Sequence, residues 1–148
     1  MDVNTYYFLI LLIDDSFDAF VSGITTNQVK VSHGTKIWKD KDFVISDISN
    51  GLLGTILFQA NYDVNCCTIS INSNRDAEVF MYLFGNQESE LMRSSQEIGD
   101  WTLRTGLYLE WCNPDGSNKM KLDRVLSKKI KIGEKSRFTP ISLFNTKL

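Results

Sequence analysis

The feature that most constrains the fold is a period-two alternation of apolar and polar residues in several short segments. In CTISIN, Ile69 and Ile71 alternate with polar residues, and in SKKIKIG, Ile130 and Ile132 alternate with lysines. Because successive side chains of a β-strand point to opposite faces, this alternation is typical of strands with one buried face. No segment of the chain has a comparable helical periodicity.

Other segments extend this pattern to a complete domain. EVFMYLFG, at residues 78–85, is apolar on both faces and predicts a central strand covered on both sides. Turn signals such as NPDG recur roughly every 8–12 residues, as in antiparallel sandwiches and barrels, whereas a parallel sheet needs crossover helices. We therefore predict an all-β fold, a jelly-roll-like antiparallel β-sandwich of about eight to ten strands. It contains at most one short helix, in the polar segment that begins at Asn86.

The N-terminal stretch YYFLILLI, at residues 6–13, has two interpretations. Its length fits the apolar region of a signal peptide, about 7–15 residues, and small residues follow at 21–23. However, no basic residue precedes it and two aspartates follow it, as would suit a buried strand. Since the later strands suffice for a sandwich, we treat residues 1–23 as dispensable to the core. We favour a signal-like leader, and hence secretion over a cytoplasmic location, with an extra strand as the alternative; residues 24–148 form a single sandwich domain.

Composition and charge exclude several classes of protein. The 16 basic and 18 acidic residues give a net charge of -2, which provides no electrostatic case for nucleic-acid binding. No apolar run reaches the roughly 18–20 residues of a transmembrane helix. Three cysteines are too few for a disulfide framework, so either Cys112 pairs with Cys66 or Cys67, or all three are free thiols. Oligomeric state is not encoded in any pattern that we recognise.

The chain carries no motif for catalysis. Its one histidine, His33, lies in VSHGTK at a predicted turn, so a histidine-based catalytic triad has no supporting pattern. Cys66 and Cys67 are adjacent and would point to opposite faces of a strand, which disfavours joint metal binding. We predict that the protein is not an enzyme.

Carboxylates and lysines offer two weaker patterns. A structural calcium ion could be bound by Asp40, Asp42 and Asp115, with Asn118, although DGSN does not match the twelve-residue calcium loop. The alternative is that these carboxylates are solvated corners. A C-terminal basic cluster could form an anion patch, or simply a solvated outer strand that discourages edge pairing. Its members are Lys128, Lys129, Lys131, Lys135 and Arg137.

Aromatic residues are the remaining candidates for a binding site. Ring faces stack on the apolar faces of sugars and on cations. Trp101 follows a polar segment and is expected to be exposed, whereas Trp111 shares a strand face with leucines and is expected in the core. We name Trp101, Trp38 and Tyr108 as candidate ligand contacts.

The order of three segments resembles a known family. GTKIWKDKDFVISDISNGLLGTILFQ, VFMYLFG and GDWTLRTG are similar to segments of galactose-binding-like β-sandwich modules attached to secreted glycoside hydrolases and polysaccharide lyases. The resemblance implies a sandwich fold and an accessory role. We accordingly expect a non-catalytic module that binds a glycan or another protein through loop aromatics, with no cofactor. The alternative is a carrier of a small lipid-like ligand in a β-barrel cavity.

Overall fold

The computed structural model describes residues 7–14, 19–62, 68–85 and 101–138. These ranges contain ten β-strands and no helix. The strands are β1 (Tyr7–Ile13), β2 (Ala19–Ser22), β3 (Asn27–Lys30), β4 (Val44–Ile48), β5 (Ile56–Gln59), β6 (Ile69–Ser73), β7 (Ala77–Gly85), β8 (Thr102–Cys112), β9 (Met120–Ile130) and β10 (Lys135–Phe138).

The strands form two sheets in which neighbouring strands are antiparallel. The large sheet has the order β3-β5-β1-β7-β9-β8-β4, and the small sheet has the order β10-β6-β2. This arrangement confirms the predicted all-β antiparallel sandwich. In the described ranges, β3 and β4 end the large sheet, which is therefore open and not closed into a barrel. The short helix predicted after Asn86 lies outside the described residues. No helix in the described part of the chain is long and apolar enough to span a bilayer.

A first hydrophobic cluster fills the space between the two sheets. The small sheet contributes Ile69 and Ile71, whose alternation with polar residues the sequence predicts correctly. The large sheet contributes residues from β1, β5, β7 and β9 that point to the same side. The cluster comprises Leu11, Ile13, Ala19, Ile56, Phe58, Ala60, Ile69, Ile71, Ala77, Val79, Met81, Trp101, Leu126 and Ile130.

A second hydrophobic cluster covers the opposite face of the large sheet. Residues 31–52, which include β4, supply several of its side chains. Trp38 and Trp111 meet edge to face with ring centroids 5.4 Å apart, a favoured geometry for aromatic pairs. The central strands of the large sheet are thus buried on both faces. The cluster comprises Ile10, Leu12, Val31, Ile37, Trp38, Ile45, Ile48, Leu52, Leu57, Phe80, Tyr82, Leu109, Trp111, Leu122 and Val125.

The N-terminal apolar stretch forms β1, which lies between β5 and β7 near the middle of the large sheet. Leu11 and Ile13 pack in the first cluster, whereas Ile10 and Leu12 pack in the second. The expectation that this stretch is dispensable to the core is therefore wrong for the described fold. Sequence reasoning counted enough later strands for a sandwich, but it could not show that two of them, β5 and β7, both pair with β1.

The central position of β1 gives a testable prediction. Leu12 is 0% exposed, so Leu12→Ala should leave a cavity and lower the free energy of unfolding by about 2–5 kcal/mol. Leu53→Ala is the matched control, because Leu53 is 46% exposed and its truncation should change stability by no more than about 0.5 kcal/mol. Urea denaturation of the three proteins measures both values. Equal stability of the two variants would contradict a central β1.

Candidate functional site

β8 contains a bulge where it pairs with β9. Thr105 pairs with Arg124 and Leu109 pairs with Leu122, so four steps along β8 correspond to two along β9. Gly106 lies within this interval with a φ of 88°, a left-handed value that side chains with a Cβ rarely adopt. Such bulges bend a strand and redirect its side chains.

The side chains of β8 pack in different hydrophobic clusters before and after the bulge. Leu103 packs against the first cluster, whereas Leu109 and Trp111 belong to the second. All three positions have odd numbers and would share one face of a regular strand. The two ends of β8 therefore contribute to opposite sides of the large sheet, and Thr105 and Gly106 between them are exposed.

Side chains from two other elements fix the bulge in place. The Ser49 hydroxyl accepts a hydrogen bond from the Tyr108 amide at 3.0 Å, and the Ser49 amide donates to the Tyr108 carbonyl at 3.0 Å. The Tyr82 hydroxyl in β7 donates to the Leu107 carbonyl at 3.2 Å. A Cβ at Gly51 would lie 2.6 Å from Leu107 Cδ2, so glycine permits this close approach. The bulge is thus tied to both the core and the 49–51 turn.

Tyr108 is the centre of a polar surface beside the bulge. The ammonium group of Lys121 lies 4.4 Å from the centroid of the Tyr108 ring, a cation–π geometry. Reduced solvation and the nearby Asp47 carboxylate raise the pKa of the Tyr108 phenol. The Ser46 hydroxyl donates to Glu110 Oε1 at 2.8 Å, and Glu110 pairs across the strands with Lys121. The ring is therefore surrounded by hydrogen-bonding groups of both charges.

A depression of about 340 Å³ adjoins this surface. It is lined by Thr105, Gly106, Leu107, Tyr108, Lys121 and Asp123. Its volume is near the lower end of the range of small-molecule sites, about 300–1,000 Å³. His33 Nε2 lies 3.8 Å from Asp47 Oδ1, and their side chains are 61% and 51% exposed. The arrangement can offer an aromatic ring, an ammonium group and carboxylates to one polar ligand.

The structure does not bring the three predicted aromatic contacts together. Trp101 is 4% exposed and packs in the first cluster, so the expectation that it is exposed is wrong. Trp38 is 1% exposed and packs in the second cluster. Trp111 is in the core, as predicted. Of the three candidates, only Tyr108 borders a surface depression. The expectation for Trp101 failed because the sequence before it does not indicate which side of the sheet the ring will face.

The predicted calcium ligands are engaged in separate local contacts. Asp40 Oδ1 accepts a hydrogen bond from the Tyr62 amide at 2.8 Å, and Asp42 lies 3.9 Å from the Lys36 ammonium. Asp115 Oδ1 accepts from the Ser117 hydroxyl and amide, and these bonds lower the pKa of Asp115. Within the described ranges, no three His, Cys, Asp or Glu side chains are grouped to hold a metal ion.

Cys112 is a buried free thiol. Its candidate partners, Cys66 and Cys67, lie outside the described residues. Sequence reasoning also missed Ser49, Gly106 and Lys121 as parts of the Tyr108 surface. Gly106 did carry a signal, since an isolated glycine inside a strand pattern indicates a bulge. The Ser49 contact joins residues 59 positions apart and leaves no such local trace.

The conformation of Gly106 predicts a graded effect of substitution. Among the described residues, and apart from its two chain neighbours, no atom lies within 4 Å of a Cβ built at Gly106, so the cost of Gly106→Ala should come from the backbone alone, about 1–2 kcal/mol of unfolding free energy. Gly106→Asn should cost less, because asparagine tolerates left-handed backbone better than alanine. Urea denaturation tests the order, and an alanine variant as stable as the wild type would contradict the described bulge.

The buried Tyr82 hydroxyl predicts a loss of stability at alkaline pH. Burial, and to a smaller extent the charge of Asp123, raise the pKa of the Tyr82 phenol well above its usual value of 10.0. The fold therefore favours the neutral phenol, and this contribution is present below pH 10.0 and is lost as the pH rises through the raised pKa. Tyr82→Phe should be less stable than wild type at neutral pH by about 1 kcal/mol. That gap should shrink or reverse as the pH rises above 10.0; a constant gap in urea titrations would refute the effect.

Comparison of the chain with family models, with curated proteins and with solved structures finds no match. The resemblance to galactose-binding-like modules therefore stays a prediction from the sequence segments that carry it.

Proposed function

We propose that the protein is a non-catalytic binding module that takes a carbohydrate at the depression beside Tyr108. The observation that carries the proposal is the position of the Tyr108 ring, which borders the depression with the Lys121 ammonium 4.4 Å from its centroid. Sugars present apolar C–H faces, which stack on aromatic rings, and hydroxyl groups, which exchange hydrogen bonds with ammonium and carboxylate groups. The depression offers both kinds of contact within one small surface.

The rigidity of the surface supports binding. Both backbone polar groups of Tyr108 are bonded to Ser49, and the adjacent Leu107 carbonyl accepts the Tyr82 hydroxyl. A site that is already ordered loses less conformational entropy when a ligand binds. The resemblance to galactose-binding-like modules points to the same ligand class.

Two observations favour binding over the other functions considered. His33 and Asp47, the acid–base pair beside Tyr108, are 61% and 51% exposed, whereas catalytic groups usually lie in desolvated clefts. The space between the two sheets is filled by the first cluster, which disfavours a carrier of an internal lipid-like ligand. Another protein as the partner is the second candidate, because tyrosine is enriched at protein interfaces and Tyr108 is partly exposed.

The proposal predicts which substitutions weaken carbohydrate binding. Screening the full chain on a glycan array should identify a bound sugar, whose affinity is then measured by titration calorimetry. Tyr108→Ala should weaken binding by about tenfold or more through the loss of the stacking ring. Tyr108→Phe retains the ring and should bind more tightly than Tyr108→Ala. Lys121→Ala should also weaken binding, and Lys119→Ala, an exposed lysine outside the depression, is the matched control.

Two outcomes would count against this assignment. If no glycan on the array is bound, the proposal that the ligand is a carbohydrate is wrong. A protein partner would then be sought with the same variants. Binding that Tyr108→Ala leaves unchanged would show that the sugar site lies elsewhere on the chain.

A further inference from the structure

The outer face of the small sheet is a second surface with a regular arrangement of side chains. We use "outer face" for Phe20, Ser22, Ser70, Asn72, Lys135 and Arg137. Asn72 pairs with both Lys135 and Phe20, and Ser70 pairs with both Arg137 and Ser22. Directly opposed residues in a sheet point to the same side, so the six side chains form two rows of three across the strands.

Burial places these rows on the side of the small sheet away from the core. Ile69 and Ile71 in β6 point into the first cluster, so Ser70 and Asn72 between them point outward. In β2, Ala19 is buried in the same cluster, whereas Phe20 is 54% exposed. An exposed phenylalanine on a sheet face costs solvation free energy in the free protein, which a bound partner would recover.

The outer face is positively charged. Lys135 and Arg137 are both exposed and stand two residues apart on β10, about 6.8 Å along the strand. None of the six side chains is acidic. The basic cluster expected from the sequence does not form one surface in the structure. The Lys128 ammonium donates to the hydroxyl of the buried Ser136 at 3.1 Å, on the side of β10 opposite to Lys135 and Arg137. Lys135 and Arg137 are the members of that cluster that belong to the outer face.

We propose that the outer face binds an extended polysaccharide that carries carboxylate or sulfate groups. Lys135 and Arg137 pair with two successive anionic groups of the chain, and Arg137 can do so with two parallel hydrogen bonds. The hydroxyls of Ser22 and Ser70 and the amide of Asn72 exchange hydrogen bonds with sugar hydroxyls. The exposed ring of Phe20 stacks on a sugar face. This surface is separate in composition from the Tyr108 depression and does not depend on it.

Charge and composition favour this occupant over three others. Single-stranded nucleic acid is usually bound by two or three stacking rings on a sheet, and the outer face has one. Membrane surfaces recruit clusters of about 4–8 basic residues, and the outer face has two. A second copy of the chain docked face to face would bring two more basic side chains and no acidic ones to the outer face, so the two copies would repel each other.

The proposal is tested with four probes and two charge reversals of equal size. Calorimetric titrations of the full chain use polygalacturonate as the carboxylate probe, heparin as the sulfate probe, neutral dextran, and oligo-dT. We expect binding of polygalacturonate or heparin that weakens as salt is raised, and no binding of dextran to this face. Lys135→Glu and Arg137→Ala should each weaken that binding by about tenfold or more. Lys119→Glu, which changes the net charge as much as Lys135→Glu does, should not.

The remaining variants test the contribution of Phe20. Phe20→Ala should weaken acidic polysaccharide binding, whereas Leu53→Ala, which removes an exposed apolar side chain outside the outer face, should leave it unchanged. The proposal is overturned if neither acidic polymer binds, or if Lys119→Glu reduces binding as much as Lys135→Glu does. Tighter binding of oligo-dT than of both acidic polysaccharides would assign the face to nucleic acid, and self-association abolished by Phe20→Ala in sedimentation experiments would assign it to a second copy. Urea denaturation of each variant tests whether the exposed substitutions leave the fold intact.

Discussion

The structure depends on the burial of both faces of one pair of strands. β1 and β7 pair along seven consecutive positions, and the side chains of residues 10–13 and 79–82 alternate between the two hydrophobic clusters. Neither cluster is complete without these two strands, because each cluster contains every second residue of β1 and β7 in this region. At roughly 25 cal/mol per Å² of apolar surface, such two-sided burial is the largest favourable contribution that one strand can make. The small sheet and residues 31–52 are held by the two surfaces that this pair presents.

The same two-sided arrangement explains the position of the candidate site. β8 contributes to the first cluster at Leu103 and to the second at Leu109, so the strand must change its alternation between them. The bulge at Gly106 provides that change, and its backbone polar groups are bonded by Ser49 and Tyr82. Tyr108 is partly exposed where the strand crosses from one cluster to the other. The polar surface is thus a consequence of how the core is divided.

Local patterns predicted the fold class and missed most of the site. Alternation in β6 and the two-sided apolar character of β7 are properties of neighbouring residues, so they could be seen in sequence. The role of YYFLILLI depended on which strands pair, and its apolar character fits a leader as well as a central strand. Trp101 and Trp38 show the limit most clearly, since a large ring is equally suited to a core and to a binding surface. Only tertiary packing distinguishes the two.

The hydrogen bond from Tyr82 to the Leu107 carbonyl joins the centre of the sheet to the candidate site. Displacement of the bulge would leave a buried hydroxyl without its acceptor, at a cost of about 1–3 kcal/mol. Fluctuations of Tyr108 are therefore coupled to the packing of β7, and a ligand at Tyr108 would stabilise the whole domain against unfolding by mass action. The thermal midpoint of the protein should consequently report occupancy of a site that lies entirely on its surface.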